Sequence, residues 1–299
     1  MTELSLPRAP RLMPALAKGA VTGVGKRPRA DAPLPAVRLT LPGVRADAAR
    51  TAAYAEVCGF GAPGPVLPVT YPHILGFPLA ARLMSARSFP LPMLGLVHTT
   101  IEITQHAPLY ADRPLDLTVY AQELRPHRRG TEAVLVTEAR RGGELVWADH
   151  STYLARHRTE ATTSAPPEAT TSTAPEAGDA APELPFRDEW KLAADLGRRH
   201  AAVSGDYNPI HLHPLTARAL GFPRALAHGM WTIARCAAEA VPADAPALRL
   251  SARFRAPVLL PATVTYGSDG HAFRLSSESG RESGRKERIH LEGSIRILG

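Results

Sequence analysis

The sequence predicts an α+β fold in which a buried helix followed by antiparallel strands occurs twice. Residues 230–241 are apolar almost all round, with their strongly polar positions on one stripe, so this predicted helix must be buried on most sides. Residues 288–297 alternate with period two, which is typical of a half-buried strand. The side chains expected on its apolar face are Ile289, Leu291, Ile295 and Ile297. This combination indicates helices packed on sheets.

An internal repeat supports two copies of this unit. Three pairs of segments match in the same order: 54–60 with 200–206, 76–82 with 229–235, and 115–119 with 262–266. In the first copy Phe60 stands where the second has Asp206, and the interval that follows is too short to contain a counterpart of His211. Because an apolar side chain cannot move a proton, we expect the first copy to serve structure and substrate binding.

Composition divides the chain into four predicted parts. Residues 1–35 are rich in Pro, Ala and basic side chains without a clear period, and we expect a partly ordered leader. Residues 36–156 form the degenerate first copy, with a helix predicted from Pro42 to Phe60. Residues 157–183 have almost no large apolar side chains, which predicts an extended linker that cannot bury enough surface to offset its ordering. Residues 184–299 form the second copy, which carries the chemistry.

Charge and composition exclude several classes of function. Of 299 residues 44% are apolar, as in a globular protein, and no run is long enough to span a membrane. The net charge of +7 comes from scattered arginines without a helix-turn-helix pattern, so no nucleic-acid partner is expected. Arginine instead suits an anionic substrate carrier. Cys58 and Cys236 give no disulfide framework, and no secretory signal is expected, so a cytoplasmic location is expected.

The groups able to move protons are concentrated in the stretch 204–211, Ser-Gly-Asp-Tyr-Asn-Pro-Ile-His. Asp206 and His211 lie on either side of Asn208-Pro209, where proline restricts the backbone and predicts a turn. Asn208 is the expected cap of a short helix that begins at Pro209. Such a turn can aim the carboxylate and the imidazole at one point.

A second motif, His228-Gly229-Met230, opens the apolar segment downstream. The first N–H groups of a helix have no partner within the helix and carry partial positive charge. Those of Gly229 and Met230 are therefore expected to stabilise negative charge that develops on a carbonyl oxygen. A carboxylate, an imidazole and a helix end together suit the addition or removal of water beside a carbonyl.

Together, the two motifs resemble the signature of the (R)-specific enoyl-CoA hydratases, also called MaoC-like dehydratases. That signature is a small residue, then Gly-Asp-x-Asn-Pro-x-His, then a downstream His-Gly-Met. The resemblance implies a hotdog fold, here a double hotdog in which two fused antiparallel sheets each wrap a helix. It also implies reversible hydration of trans-2-enoyl thioesters to (R)-3-hydroxyacyl thioesters in fatty acid metabolism, without a cofactor.

The same resemblance carries the catalytic pair onto Asp206 and His211. In one version Asp206 takes the proton of the attacking water, while His211 orients that water and delivers a proton to C2 of the substrate. In another version one residue performs both steps, and the sequence does not separate the two. The residues expected to support the pair are Ser204, Gly205 and Asn208, with Gly229 and Met230 at the thioester oxygen.

Two residues depart from what is common in the family. His200 stands where the family commonly has Tyr, and His213, expected at the surface, stands where an acidic residue is common. His211, His213 and His228 lack a supporting cluster at ligand spacing, so no metal is predicted. The rivals are a thioesterase on the same fold and a non-catalytic acyl-thioester-binding or accessory subunit. The substrate is expected on coenzyme A or acyl carrier protein, and the chain as a monomeric pseudo-dimer or a homodimer.

Overall fold

A computed structural model describes residues 1–61, 64–158, 184–242, 245–279 and 286–298. Apart from residues 157 and 158, the predicted linker at 157–183 lies outside these ranges. The described strands are β1 Thr2–Ser5, β2 Val37–Val44, β3 Val97–Gln105, β4 Leu115–His127, β5 Gly130–Arg141, β6 Glu144–Arg156, β7 Phe186–Leu192, β8 Leu248–Phe254, β9 Ala262–Ser268, β10 Ala272–Ser279 and β11 Lys286–Ile297. The described helices are α1 Leu12–Gly23, α2 Ala48–Cys58, α3 Tyr71–Met84, α4 Leu196–Ser204, α5 Pro209–Leu212, α6 Pro214–Ala219 and α7 Gly229–Ala240.

The chain divides into two compact units that do not follow its linear order. The first unit comprises residues 1–46 and 71–170, and the second comprises residues 47–70 and 171–299. Helix α2 therefore belongs to the second unit, although its sequence lies in the first copy of the repeat. The domain boundaries predicted from composition run along the linear order of the chain and stay a prediction.

The first unit has a sheet in the order β1-β2-β4-β5-β6-β3. Strands β1 and β2 are parallel, and the other neighbours in this sheet are antiparallel. Helix α3 packs against β2, β4 and β5, where Leu79 and Leu83 meet Val119 and Leu135 in one buried cluster. Most of β5 is buried on both faces, including the apolar run 133–136 at its centre.

The first 35 residues contain regular structure where the sequence predicts a partly ordered leader. Strand β1 pairs with β2, and α1 packs on α3. Ala15 of α1 is buried in the core of the first unit, and Gly19 lies so close to Met93 that an added Cβ would be 2.6 Å from the sulfur. These contacts are tertiary, and packing rather than local pattern stabilises most helices. The local sequence pattern therefore does not predict β1 and α1.

The second unit has an antiparallel sheet in the order β8-β11-β10-β9-β7. Helix α7 packs against β8, β10 and β11, with Ile233 and Ala237 fully buried. The polar stripe predicted on this helix is present, because Arg235 pairs with Glu239 at 2.6 Å and its guanidinium lies 4.0 Å from the ring centre of Trp190. A helix covered by an antiparallel sheet confirms the predicted α+β class.

The helix predicted from Pro42 to Phe60 begins later than expected. Residues up to Val44 belong to β2, which pairs with β4, so the prediction was wrong at the start of this segment. Asp47 then caps α2, its carboxylate accepting the N–H of Arg50 at 2.7 Å. The cap marks the true helix start, since an Asp at this position satisfies an otherwise unpaired N–H group.

Strand β11 departs from simple alternation because it contains a β-bulge. Leu291 pairs with Leu275, whereas Ile289 pairs with Ser276, so His290 is an extra residue on this strand. His290 and Leu291 are consequently both buried, and Ile297 at the strand end is 47% exposed. The single apolar face predicted for residues 289–297 is therefore interrupted.

Two further expectations concern the membrane and the cysteines. Among the described residues, no helix is long and apolar enough to cross a membrane. Cys58 and Cys236 are buried free thiols. Burial raises the pKa of the Cys58 thiol to about 12, so this group stays protonated and behaves as a small apolar side chain.

Candidate active site

The candidate site lies on the loop that leaves α4. This helix ends at Gly205, which adopts φ 82° and donates its N–H to the carbonyl of Ala201 at 2.8 Å. The left-handed conformation favours glycine, as expected for the tight turn predicted here. The hydroxyl oxygen of Ser204 accepts the N–H of Asp206 at 3.2 Å. Ser204 and Gly205, which precede Asp206, thus shape the loop that carries its carboxylate.

Asp206 is held by the turn that follows it. Its Oδ1 accepts the backbone N–H of Asn208 at 3.1 Å, and its side chain is 26% exposed. Asn208 caps α5, and its Oδ1 lies 3.4 Å from the N–H of Ile210, with Pro209 in the first turn. The short helix and its cap are confirmed. The carboxylate is therefore fixed through one oxygen and keeps the other, Oδ2, free of this turn.

His211 is buried on α5 and held in one tautomer. Its Nδ1 lies 2.9 Å from the carbonyl oxygen of Leu226, which can only accept, so Nδ1 carries the proton of the neutral ring. Nε2 is then left with a lone pair. Burial, and secondarily the neighbouring His228, lower the pKa of His211 to about 3, while Asp206 opposes this effect. The ring is consequently neutral at physiological pH, with the lone pair of Nε2 available to accept a hydrogen bond.

His228 joins this pair, although the sequence predicted no catalytic or metal-binding role for it. Its ring stacks on that of His211 with centroids 3.7 Å apart, and its Nε2 lies 2.9 Å from the backbone oxygen of Asp206. The same nitrogen is 3.8 Å from Asp206 Oδ2. The motif that contains His228 was the signal that could have found it, but spacing along the chain does not show which side chains meet.

Asp206, His211 and His228 are also a group that could hold a metal ion, since one ligand atom of each lies within 4.8 Å of the others. Two of the ring nitrogens already face backbone carbonyl oxygens: Nδ1 of His211 and Nε2 of His228. Coordination through either nitrogen would remove a hydrogen bond that holds the site. Coordination that keeps these bonds would use the other nitrogen of each ring, and the absence of a metal stays a prediction.

The N-terminus of α7 lies directly after His228. The helix begins at Gly229, without a side-chain cap and without an acidic residue in its first turn. Within the described residues, the N–H groups of Gly229 and Met230 donate to no carbonyl, whereas those of Trp231 and Thr232 bond to His228. An added Cβ at Gly229 would lie 3.2 Å from the ring of Phe254, so a larger residue would crowd this helix end.

His200, on α4 of the same unit, packs against His228 on the buried side of the site. It is 1% exposed, and its ring centroid lies 4.6 Å from that of His228 and 6.1 Å from that of Tyr54. Burial, followed by the charges of the neighbouring histidines, lowers its pKa well below the ordinary value. His200 is thus a neutral ring packed behind the site.

Helix α2 supports the same region. Arg50 donates from Nε to the carbonyl of Val203 at 2.7 Å, and Trp231 donates from its indole N–H to the carbonyl of Val57 at 2.9 Å. These bonds join α2 to both α4 and α7, the helices that flank the candidate site. The repeat alone could not predict them, because α2 is separated from α4 by most of the first copy.

Two further histidines lie away from this group. His213 is exposed and caps α6, its Nδ1 accepting the N–H of Leu215 at 3.1 Å, which agrees with the surface role expected from sequence. His73 is buried in the first unit and pairs with Asp149 at 2.6 Å. The sequence offered no partner for His73, since 76 residues separate the two.

Comparison with known proteins finds relatives that share most of the chain. Residues 178–274 match the family described as MaoC like domain. The chain is 36% identical over 276 residues to 3-hydroxyacyl-thioester dehydratase X of Mycobacterium tuberculosis, covering 91% of this chain and 92% of that protein.

Two solved structures share the fold. The crystal structure of HtdX from Mycobacterium tuberculosis has a TM-score of 0.70 at 32% identity, covering 87% of this chain and 100% of that one. A Mycobacterium tuberculosis protein with a double hotdog fold has a TM-score of 0.50 at 14% identity, covering 89% and 98%, and shows the fold alone. The predicted double hotdog is confirmed.

Proposed function

Since this chain belongs to the MaoC-like dehydratase family, we propose that Asp206 and His211 carry out its reaction on acyl thioesters. The chain is a hydro-lyase that interconverts 3-hydroxyacyl and 2-enoyl thioesters. The observation that supports the assignment is the meeting of a carboxylate and a neutral imidazole, with ligand atoms within 4.8 Å, next to the start of α7. In such a reaction the water must lose a proton and must be oriented toward C3. Two polar groups that both hydrogen-bond the water can do this together.

The state of His211 narrows its role. Its Nδ1 donates to the carbonyl of Leu226, and burial keeps the ring neutral, so Nε2 has a lone pair and no proton to give. His211 must therefore accept a proton before it can deliver one. This favours a single proton that is taken from water and returned to the substrate.

The atoms balance in both directions. In hydration, the oxygen of water bonds to C3 while one of its protons passes to the Asp206–His211 pair, and C2 then receives that proton from the pair. In dehydration, the pair takes the proton from C2 and returns it to the hydroxyl group that leaves C3 as water. The enzyme ends each cycle in the protonation state in which it began, so no cofactor enters the balance.

Negative charge develops on the thioester oxygen as the C2–proton bond forms or breaks. We assign its stabilisation to the N–H groups of Gly229 and Met230, which donate to no carbonyl within the described residues. Such donors act through the partial positive charge of a helix start. Removing one oxyanion donor typically costs about 10²–10³ in rate.

The test follows the ultraviolet absorbance of a conjugated enoyl thioester after the purified protein is added. Wild type should remove the absorbance, while Asp206→Asn and His211→Ala should each lower kcat by about 10²–10⁴-fold, the usual contribution of general acid–base catalysis. The matched control is His213→Ala, which removes an exposed imidazole from the same region of the chain. Circular dichroism establishes that the variants remain folded.

Two results would contradict the assignment. Turnover that survives both changes would move the chemistry to other residues. An enoyl thioester that wild type binds without converting, on either coenzyme A or acyl carrier protein, would favour a non-catalytic binding subunit. Running both carriers in parallel also identifies which one the protein uses.

Location and assembly follow as parts of the same proposal. Buried free thiols at Cys58 and Cys236 support a reducing compartment, and we place the enzyme in the cytoplasm. Two copies of one fold in a single chain favour a monomer in which the two copies form a pseudo-dimer. Light scattering on the purified protein distinguishes this monomer from a homodimer.

A further inference from the structure

The side chain of His228 contacts both members of the proposed catalytic pair. Its Nε2 lies 2.9 Å from the backbone oxygen of Asp206 and 3.8 Å from the Oδ2 of the same residue. Its ring stacks on His211 at 3.7 Å, with 25° between the planes. The imidazole of His228 thus contacts the backbone of Asp206 and the ring of His211.

The hydrogen bond to Asp206 fixes the tautomer of His228. A carbonyl oxygen can only accept, so Nε2 carries the proton of the neutral ring and Nδ1 has a lone pair. Nδ1 is buried and makes no hydrogen bond with the described residues. The ring therefore has its acidic proton engaged and its basic nitrogen enclosed, which leaves it unable to exchange protons with a substrate.

Burial also keeps His228 uncharged. The side chain is 3% exposed, and desolvation lowers its pKa, while the charge and backbone oxygen of Asp206 act in the opposite direction. A charged ring stacked on His211 would repel the proton that His211 has to accept. His200 packs on His228 at 4.6 Å as another buried ring, so the position of His228 is fixed from more than one side.

We propose that His228 is a positioning residue, which holds the loop of Asp206 and the ring of His211 in the arrangement that lets both reach the same water. This inference rests on the proposed function. It differs from the catalytic assignment because His228 moves no proton. Its effect passes through Asp206, whose backbone it ties to the start of α7.

The test compares two replacements of this side chain. His228→Leu removes the donor to the oxygen of Asp206, whereas His228→Gln keeps an N–H group at a similar reach. His228→Leu should lower kcat about 10- to 100-fold, since misplacing reacting groups by about 1 Å can cost 10²-fold. KM should change less than about threefold, because the lost contact affects the transition state rather than substrate binding. His228→Gln should recover most of the rate, and exposed His271→Leu serves as the control.

Two measurements do not depend on activity. Backbone hydrogen exchange in residues 205–211 should become faster in His228→Leu and stay near wild type in His228→Gln. Nitrogen-15 spectra of the wild-type histidines should show His228 protonated at Nε2, which requires no variant to fold.

The outcomes separate this inference from the proposed function. A kcat within threefold of wild type in His228→Leu, equal losses in the Leu and Gln variants, or a proton on Nδ1 in wild type would each overturn the positioning role. If wild type shows no turnover, the proposed function fails. The exchange pattern and the tautomer then decide by themselves whether His228 holds the loop.

Discussion

His290 provides a sharp test of how burial controls the stability of this protein. It is the extra residue in the bulge of β11 and is 5% exposed. Its Nδ1 lies 3.2 Å from the carbonyl oxygen of Ala256, so Nδ1 donates, and its Nε2 lies 2.8 Å from the hydroxyl of Ser277, from which it accepts. The neutral ring is therefore satisfied at both nitrogens. Protonation would remove the acceptor and place a charge in a buried position.

The magnitude follows from the pKa of this group. Burial lowers the pKa of His290 from 6.5 to about 4, with the charge of Arg288 acting in the same direction. Between these two values the unfolded chain binds a proton at this residue and the folded protein does not, so stability falls as the pH falls. A difference of about 2.5 in pKa corresponds to about 3 kcal/mol, which is present above pH 6.5 and lost once the pH reaches about 4.

The assay is chemical denaturation of wild type and His290→Gln at several values between pH 8 and pH 4. At pH 8 the variant should be the less stable protein, because it loses hydrogen bonds and packing. Toward pH 4 the gap should close by about 3 kcal/mol, since only wild type carries this histidine. His150→Gln, at an exposed position on β6, is the matched control for the substitution itself. A gap for His290→Gln that is constant across this range would refute the argument.

Three further predictions concern the supports of the candidate site. Gly197→Ala should lower the free energy of unfolding by about 3 kcal/mol and reduce turnover, because the new Cβ would overlap the carbonyl oxygen of His211. Gly64→Ala is the control, since Gly64 has open space around it, and it should change neither the thermal melt nor the rate. Asn208→Ala should lower the free energy of unfolding by about 1 kcal/mol, because it removes the cap of α5 but keeps the backbone N–H that bonds to Asp206. A much larger loss in urea denaturation would contradict a role limited to capping. Trp231→Phe should cost about 1 kcal/mol by removing the indole donor to α2, and an unchanged melting temperature would refute it.

The turn chemistry of the candidate loop could be predicted because it is local. Proline at position 209 restricts its own backbone and that of Asn208, and glycine at position 205 permits the left-handed turn. These constraints act over two or three residues, so they can be recognised in a single sequence. The short helix, its cap and the approach of Asp206 to His211 all follow from them.

Contacts that depend on tertiary pairing could not be predicted in the same way. The bulge that buries His290 is a property of how β11 pairs with β10, and alternation within one strand does not reveal an inserted residue. The inclusion of α2 in the second unit depends on bonds such as that from Arg50 to Val203, 153 residues away. The need for glycine at position 197 is likewise not visible in the sequence, because it comes from the carbonyl oxygen of His211, which lies where a Cβ would be.

Three buried histidines of the candidate site support the proposal that the transferred proton comes from water. His211 and His228 each use one nitrogen to bond a backbone carbonyl oxygen, and burial lowers the pKa of both rings, as it does for His200. None of the three then holds a proton that it can give up at neutral pH without breaking a hydrogen bond or leaving its buried position. In the proposed mechanism, the proton added to C2 during hydration therefore comes from the attacking water, by way of Asp206 and His211. The same proposal has the pair take up the C2 proton during dehydration, so that one site would run the reaction in both directions.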